Sequence, residues 1–142
     1  MKRISFLAMA VAVAMTLQAK DILVNTPNTT LLLRTSENQP VHISYYGERI
    51  EDVHQVYNAY SLWEHPYPAF GAGCQEIPAL SVKHSDGNMS TELVYQSDTE
   101  KTEANSTLYT ITMKDKAYDF FVDVCYRAYN NSDVIETWSV IR

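Results

Sequence analysis

The chain has 142 residues and a formal net charge of −6, with 17 acidic against 11 basic residues. A chain of this length is expected to form one domain with a hydrophobic core of its own. Because negative charge repels phosphate groups and no cluster of lysine or arginine offsets it, neither nucleic acid nor a membrane is expected as a partner.

The first element in chain order is a secretory signal peptide. Two basic residues precede an apolar run over residues 4–15, and small and polar residues follow it up to Ala19. This order matches the charged, apolar and cleavage regions of exported proteins. The run is too short for a membrane-spanning helix, which needs about 20 residues. We therefore expect residues 1–19 to be cleaved, residues 20–142 to form the mature domain, and the location to be secreted or periplasmic.

The mature part predicts an all-β fold. Segments rich in Val, Ile, Thr, Tyr and Phe alternate with Gly, Asn, Asp and Pro at the spacing of short strands. Apolar and polar side chains alternate clearly in the later segments, as they do in antiparallel sheets with one face in a core. The pattern predicts an antiparallel β-sandwich. Its predicted strands are residues 22–25, 30–35, 41–46, 79–84, 91–96, 107–114, 118–129 and 134–141.

Polar turns separate several of these strands. Asp86-Gly87, within residues 85–88, favours a tight hairpin, and residues 114–116 and 130–133 supply turns for the later pairs. Residues 48–60 differ, because their apolar side chains recur at helical offsets. At most one short helix is therefore expected, and it lies there.

The aromatic segment over residues 57–71 holds five aromatic rings and two prolines. Trp63, Tyr67 and Phe70 are candidate substrate-binding residues, because the apolar face of a sugar stacks on such rings. We favour the alternative that the rings anchor a long loop to the sandwich.

Residues that would carry catalysis or bind a metal form no recognisable motif. The histidines are isolated from one another and from the cysteines, so no zinc spacing exists, and the glycines are too scattered for a phosphate-binding loop. A glycosidase needs two carboxylates that face each other across a sugar, and the sequence pairs none of its candidates. We predict no catalytic residue, no metal and no cofactor. The candidate carboxylates are Glu48, Glu51, Asp52, Glu64 and Glu76.

The two cysteines leave two possibilities. An exported protein can pair Cys74 with Cys125 in a disulfide. The alternative is two separate thiols, since Cys74 lies in a Gly-rich loop and Cys125 in an apolar run, where free cysteines are often buried.

Seven sequence blocks follow one another in a recognisable order. Each block by itself is a common loop, hairpin or strand, but together they span most of the mature chain. In this order they resemble the N-terminal domain of the family 36 glycoside hydrolases. The blocks are residues 63–71 (Trp-Glu-His-Pro-Tyr-Pro-Ala-Phe-Gly), 76–80, 82–87, 91–95, 108–115, 122–129 and 133–136.

The resemblance implies the organisation of a retaining α-galactosidase, which removes terminal α-galactosyl residues from oligosaccharides and is a homo-oligomer. It implies a large N-terminal sandwich, a TIM barrel with catalytic aspartates and a C-terminal β domain. This chain would form part of the sandwich, supersandwich-like and incomplete, truncated before the barrel. The alternating apolar pattern that runs to residue 142 also favours a fragment. The loop over residues 51–63 is shorter than in members that use it at a neighbouring active site, so we transfer no ligand residue.

Two other functions remain open at the level of sequence. One is a free-standing carbohydrate-binding module that uses the rings of Trp63, Tyr67 and Phe70. The other is a structural sandwich whose last strand pairs with a partner, because an open sheet edge accepts a further strand. The fold class by itself does not choose among these functions.

Overall fold

Two antiparallel sheets form the fold in the computed structural model, which describes residues 19–56, 64–71 and 77–142. In both sheets, strands that are consecutive in sequence are neighbours. This arrangement confirms the prediction of an all-β antiparallel sandwich. The first sheet contains β1 (Lys20–Asn25), β2 (Thr29–Thr35) and β3 (His42–Glu48), and the second contains β4 (Leu93–Thr102), β5 (Ser106–Asp115), β6 (Phe121–Tyr129) and β7 (Ile135–Ile141).

The hydrophobic core lies between the sheets. Leu33 of β2, Ile111 of β5 and Val122 of β6 are almost completely buried. Because successive side chains of a strand point to opposite faces, each of these strands supplies every second residue to the core. Full burial of such a side chain stabilises the fold by about 1.5–3 kcal/mol.

The central strand of the first sheet is buried on both faces. Leu32 points away from the main core and is nevertheless fully buried, as is Thr30. The Thr30 hydroxyl donates to Asn25 Oδ1 (2.6 Å) and accepts from the amide of Ile50 (3.1 Å). The chain after β3 therefore contacts the outer face of β2 at Thr30. Burial on both faces accounts for the unbroken apolar run of this strand.

The segment after β3 contains a single turn of 3₁₀ helix, Val53–Val56. It lies inside the range in which a short helix was expected. The Asp52 carboxylate accepts the amide of His54 at 2.9 Å and stabilises the start of this turn. In the described part of the chain, no helix has the length and apolar character needed to cross a membrane.

The strand predicted over residues 79–84 is wrong. Leu80 makes one isolated bridge to Ala69, and no ladder forms. The backbone groups bond to a loop instead, since the amide of Ala79 donates to the carbonyl of Pro68 (2.8 Å). Without a neighbouring strand of matching register, the apolar alternation of this segment has nothing to pair with.

The turn at Asp86-Gly87 forms, although it does not join two strands of a sheet. The amide of Gly87 donates to the carbonyl of His84, and Gly87 has a φ of +87°. The following strand, β4, begins at Leu93 and continues to Thr102, past the predicted end at residue 96. Its second half is exposed and polar, so the apolar signal that marks a strand is missing there.

Asp133 holds two turns together at one end of the sandwich. Its carboxylate accepts hydrogen bonds from the Thr26 hydroxyl (2.8 Å), the Asn28 amide (2.8 Å) and Asn28 Nδ2 (2.9 Å). These bonds lower the pKa of Asp133, the Asn28 side chain having the largest effect. The β1–β2 turn of one sheet is thereby fixed to the β6–β7 turn of the other.

Candidate functional site

The described part of the aromatic segment, residues 64–71, is a loop held by backbone hydrogen bonds. The amide of Ile43 donates to the carbonyl of Glu64 (2.8 Å), and the amide of Phe70 donates to the carbonyl of Leu80 (2.9 Å). The carbonyl of Phe70 accepts the amide of Thr91 (2.9 Å). We call this loop the aromatic loop. It connects β3 of the first sheet to the segment that leads into the second.

Tyr67 and Phe70 have different environments within the aromatic loop. The ring of Tyr67 packs against the core, and its hydroxyl accepts a hydrogen bond from the hydroxyl of Ser139 on β7 (3.3 Å). Phe70 is 46% exposed. Trp63, the third predicted stacking residue, lies outside the described residues. The arrangement of Tyr67 is that of an anchor, whereas Phe70 presents a ring to solvent, and the predicted role of all three in substrate binding stays a prediction.

Gly71 ends the aromatic loop in a conformation that requires glycine. Its φ is +100°, which L side chains rarely adopt. A Cβ atom there would lie 2.2 Å from Ser90 Oγ and 2.7 Å from Ser90 Cα, far inside contact distance. The close approach of two backbones at this point therefore depends on the missing side chain.

An open groove of about 310 Å³ lies between β3 and β7 on one side of the sandwich. Its walls are mainly apolar, and Glu64 supplies a carboxylate. Tyr46 is 62% exposed there, while Tyr126 at the base is buried, and burial raises the pKa of Tyr126 to about 12. We call this feature the β3–β7 groove. It is lined by Leu31, Ile43, Tyr46, Glu64, Tyr126, Ile135 and Thr137.

A second cavity, of about 60 Å³, lies beside the aromatic loop and is lined in part by His65, Tyr67 and Glu92. Pockets for small molecules usually measure about 300–1,000 Å³, so this cavity is too small for a sugar ring. It has room for ordered water between the loop and β4.

Four of the five candidate carboxylates lie in the described part of the chain. Glu48, Glu51 and Asp52 are exposed, Glu51 forms an ion pair with Arg49 (3.2 Å), and Asp52 stabilises the 3₁₀ turn. Glu64 lies at the groove, and Glu76 is outside the described residues. Among the residues that the structure describes, no group of three or more His, Cys, Asp or Glu side chains could hold a metal ion.

Whether Cys74 and Cys125 form a disulfide or stay separate thiols is still a prediction. Cys125 is buried in β6, and its sulfur lies 3.8 Å from the hydroxyl of Thr110. Cys74 lies outside the described residues.

Sequence reasoning missed the β3–β7 groove. It predicted β3 and β7 as strands, but not that their edges lie on the same side of the sandwich. The available signal was weak: β7 alternates without burying either face well, and Val140 and Ile141 are 44% and 51% exposed.

A protein-family model described as the glycosyl hydrolase family 36 N-terminal domain matches residues 38–142. This range includes the end of the first sheet, the aromatic loop and the whole second sheet. No curated protein matches the chain.

Several solved structures share the fold. A variant of the family 36 α-galactosidase AgaA from Geobacillus stearothermophilus, in complex with stachyose, has a TM-score of 0.73 at 16% identity over 86% of this chain. The galactosidase domain of the α-galactosidase-sucrose kinase AgaSK gives 0.70 at 18% identity over 86%. The α-galactosidase from Lactobacillus brevis gives 0.68 at 17% identity over 92%. In each case the chain spans only 22% of the length of the solved structure.

Proposed function

Because the chain belongs to the N-terminal domain family of the family 36 glycosyl hydrolases, we propose that it is a non-catalytic part of a longer polypeptide that hydrolyses terminal α-galactosyl residues of oligosaccharides. The observation that carries the proposal is the family match over residues 38–142. Similar solved structures are described as α-galactosidases and are much longer than this chain. The catalytic barrel then belongs to the remainder of that polypeptide, which we expect to be a homo-oligomer.

The ion pairs of two acidic residues favour a structural role over a catalytic one. Hydrolysis of a glycoside requires two carboxylates free to act on the substrate. In the second sheet, Asp123 is held by Arg142 (2.7 Å), and Glu103 is held by Arg127 (3.2 Å). These pairs join neighbouring segments, so the carboxylates stabilise the sheet.

Anchoring by the aromatic loop also supports this role. The loop contacts both sheets through Ile43 and through the hydroxyl pair of Tyr67 and Ser139. A loop fixed in this way stiffens the side of the sandwich that carries the β3–β7 groove, as expected of a domain that supports another.

Export is part of the proposal. Cleavage after Ala19 would leave β1 complete, since the strand begins at Lys20. The Lys20 ammonium donates to Asp98 on β4 (2.5 Å), so the first mature residue joins the two sheets. The mass of the protein recovered from the periplasm or medium tests this step: it should correspond to residues 20 onward, and an intact N-terminus would contradict it.

Two assays test the function. With a chromogenic aryl α-galactoside, this chain alone should give no turnover, whereas the longer polypeptide should give turnover. Turnover by this chain, or a longer polypeptide that is inactive on α-galactosides but active on another glycoside, would refute the proposal.

Calorimetric titration with raffinose separates the carbohydrate-binding module from the supporting domain. The supporting role predicts no saturable binding by this chain. Saturable binding that is lost in Phe70→Ala and kept in Ile77→Ala would favour the module. Ile77 is a suitable control because it is 93% exposed and apolar.

A further inference from the structure

We draw no further inference here: the strongest candidate, the mainly apolar β3–β7 groove that Tyr46 and Glu64 help to line, carries nothing because no contact in the described part of the chain shows what covers it.

Discussion

Removing the carboxylate of Asp115 should be among the most destabilising polar substitutions in the chain. Asp115 ends β5 and is 2% exposed. Its Oδ1 accepts the amides of Ala117 (2.8 Å) and Tyr118 (2.9 Å), and its Oδ2 accepts the amide of Glu92 (2.9 Å). The first two bonds shape the β5–β6 turn, and the third ties that turn to the segment entering β4.

The expected cost follows from these three bonds. A hydrogen bond to a charged group contributes about 1.5–3 kcal/mol, and bonds that share one acceptor group are not additive. We therefore expect D115A to lower the free energy of unfolding by about 3–5 kcal/mol. In D115N the amide oxygen still accepts from Ala117 and Tyr118, but the amide nitrogen meets the N–H of Glu92. That single mismatch should cost about 1–3 kcal/mol.

Urea unfolding at neutral pH measures these differences, and Asp119 supplies the matched control. Asp119 lies in the same turn, its side chain is 88% exposed, and its carboxylate lies 3.4 Å from the ammonium of Lys114. D119A should therefore change stability by no more than about 0.5 kcal/mol. The reasoning fails if D115A is no worse than D119A, or if D115N costs as much as D115A.

Four further substitutions test separate parts of the structure. G87A should lower the free energy of unfolding by about 1–2 kcal/mol, because φ is +87° at a position with open space around it. G71A should lower it by about 1–3 kcal/mol more, because its Cβ would meet Ser90. Equal melting temperatures of the two variants would contradict this expectation. Arg142 lowers the pKa of Asp123, so the stability from this carboxylate is present above about pH 4 and lost as pH falls through the lowered value. D123N should weaken the loss of stability at acid pH, measured as the unfolding midpoint at a series of pH values. An unchanged acid dependence would count against the ion pair of Arg142 and Asp123. Burial raises the pKa of Tyr126 to about 12. The stability contributed by its neutral hydroxyl is therefore present below about pH 10 and lost as pH rises through 12. Y126F should remove a phenolate transition near pH 12 in ultraviolet absorbance, and an unchanged titration curve would contradict this.

Local periodicity explains which strands could be predicted. In β6 the alternation of Val122, Val124 and Tyr126 with Asp123 and Arg127 defines a core face, and the structure buries that face. The polar turn at residues 130–133 was equally predictable from the sequence. Residues 79–84 carry a similar pattern but form no strand, because a ladder also needs a partner elsewhere in the chain.

The candidate site was predictable only in part. The aromatic loop is visible in the sequence through its prolines and rings, and anchoring was its favoured role. Tyr67 packs inward and Phe70 stays exposed because of the path that the loop takes between β3 and Thr91. Hydrogen bonds from distant segments determine that path.

Sequence alone determined the all-β class, the positions of most strands and the family, because side-chain alternation, turn residues and the order of the blocks are read along the chain. The tertiary structure decided how the strands of the described chain are ordered in each sheet, where the β3–β7 groove lies and which rings are buried. These features arise from contacts between residues far apart in sequence, such as Tyr67 with Ser139 and Thr26 with Asp133. Their formation depends on how the two sheets stack, and a local pattern carries no information about that stacking.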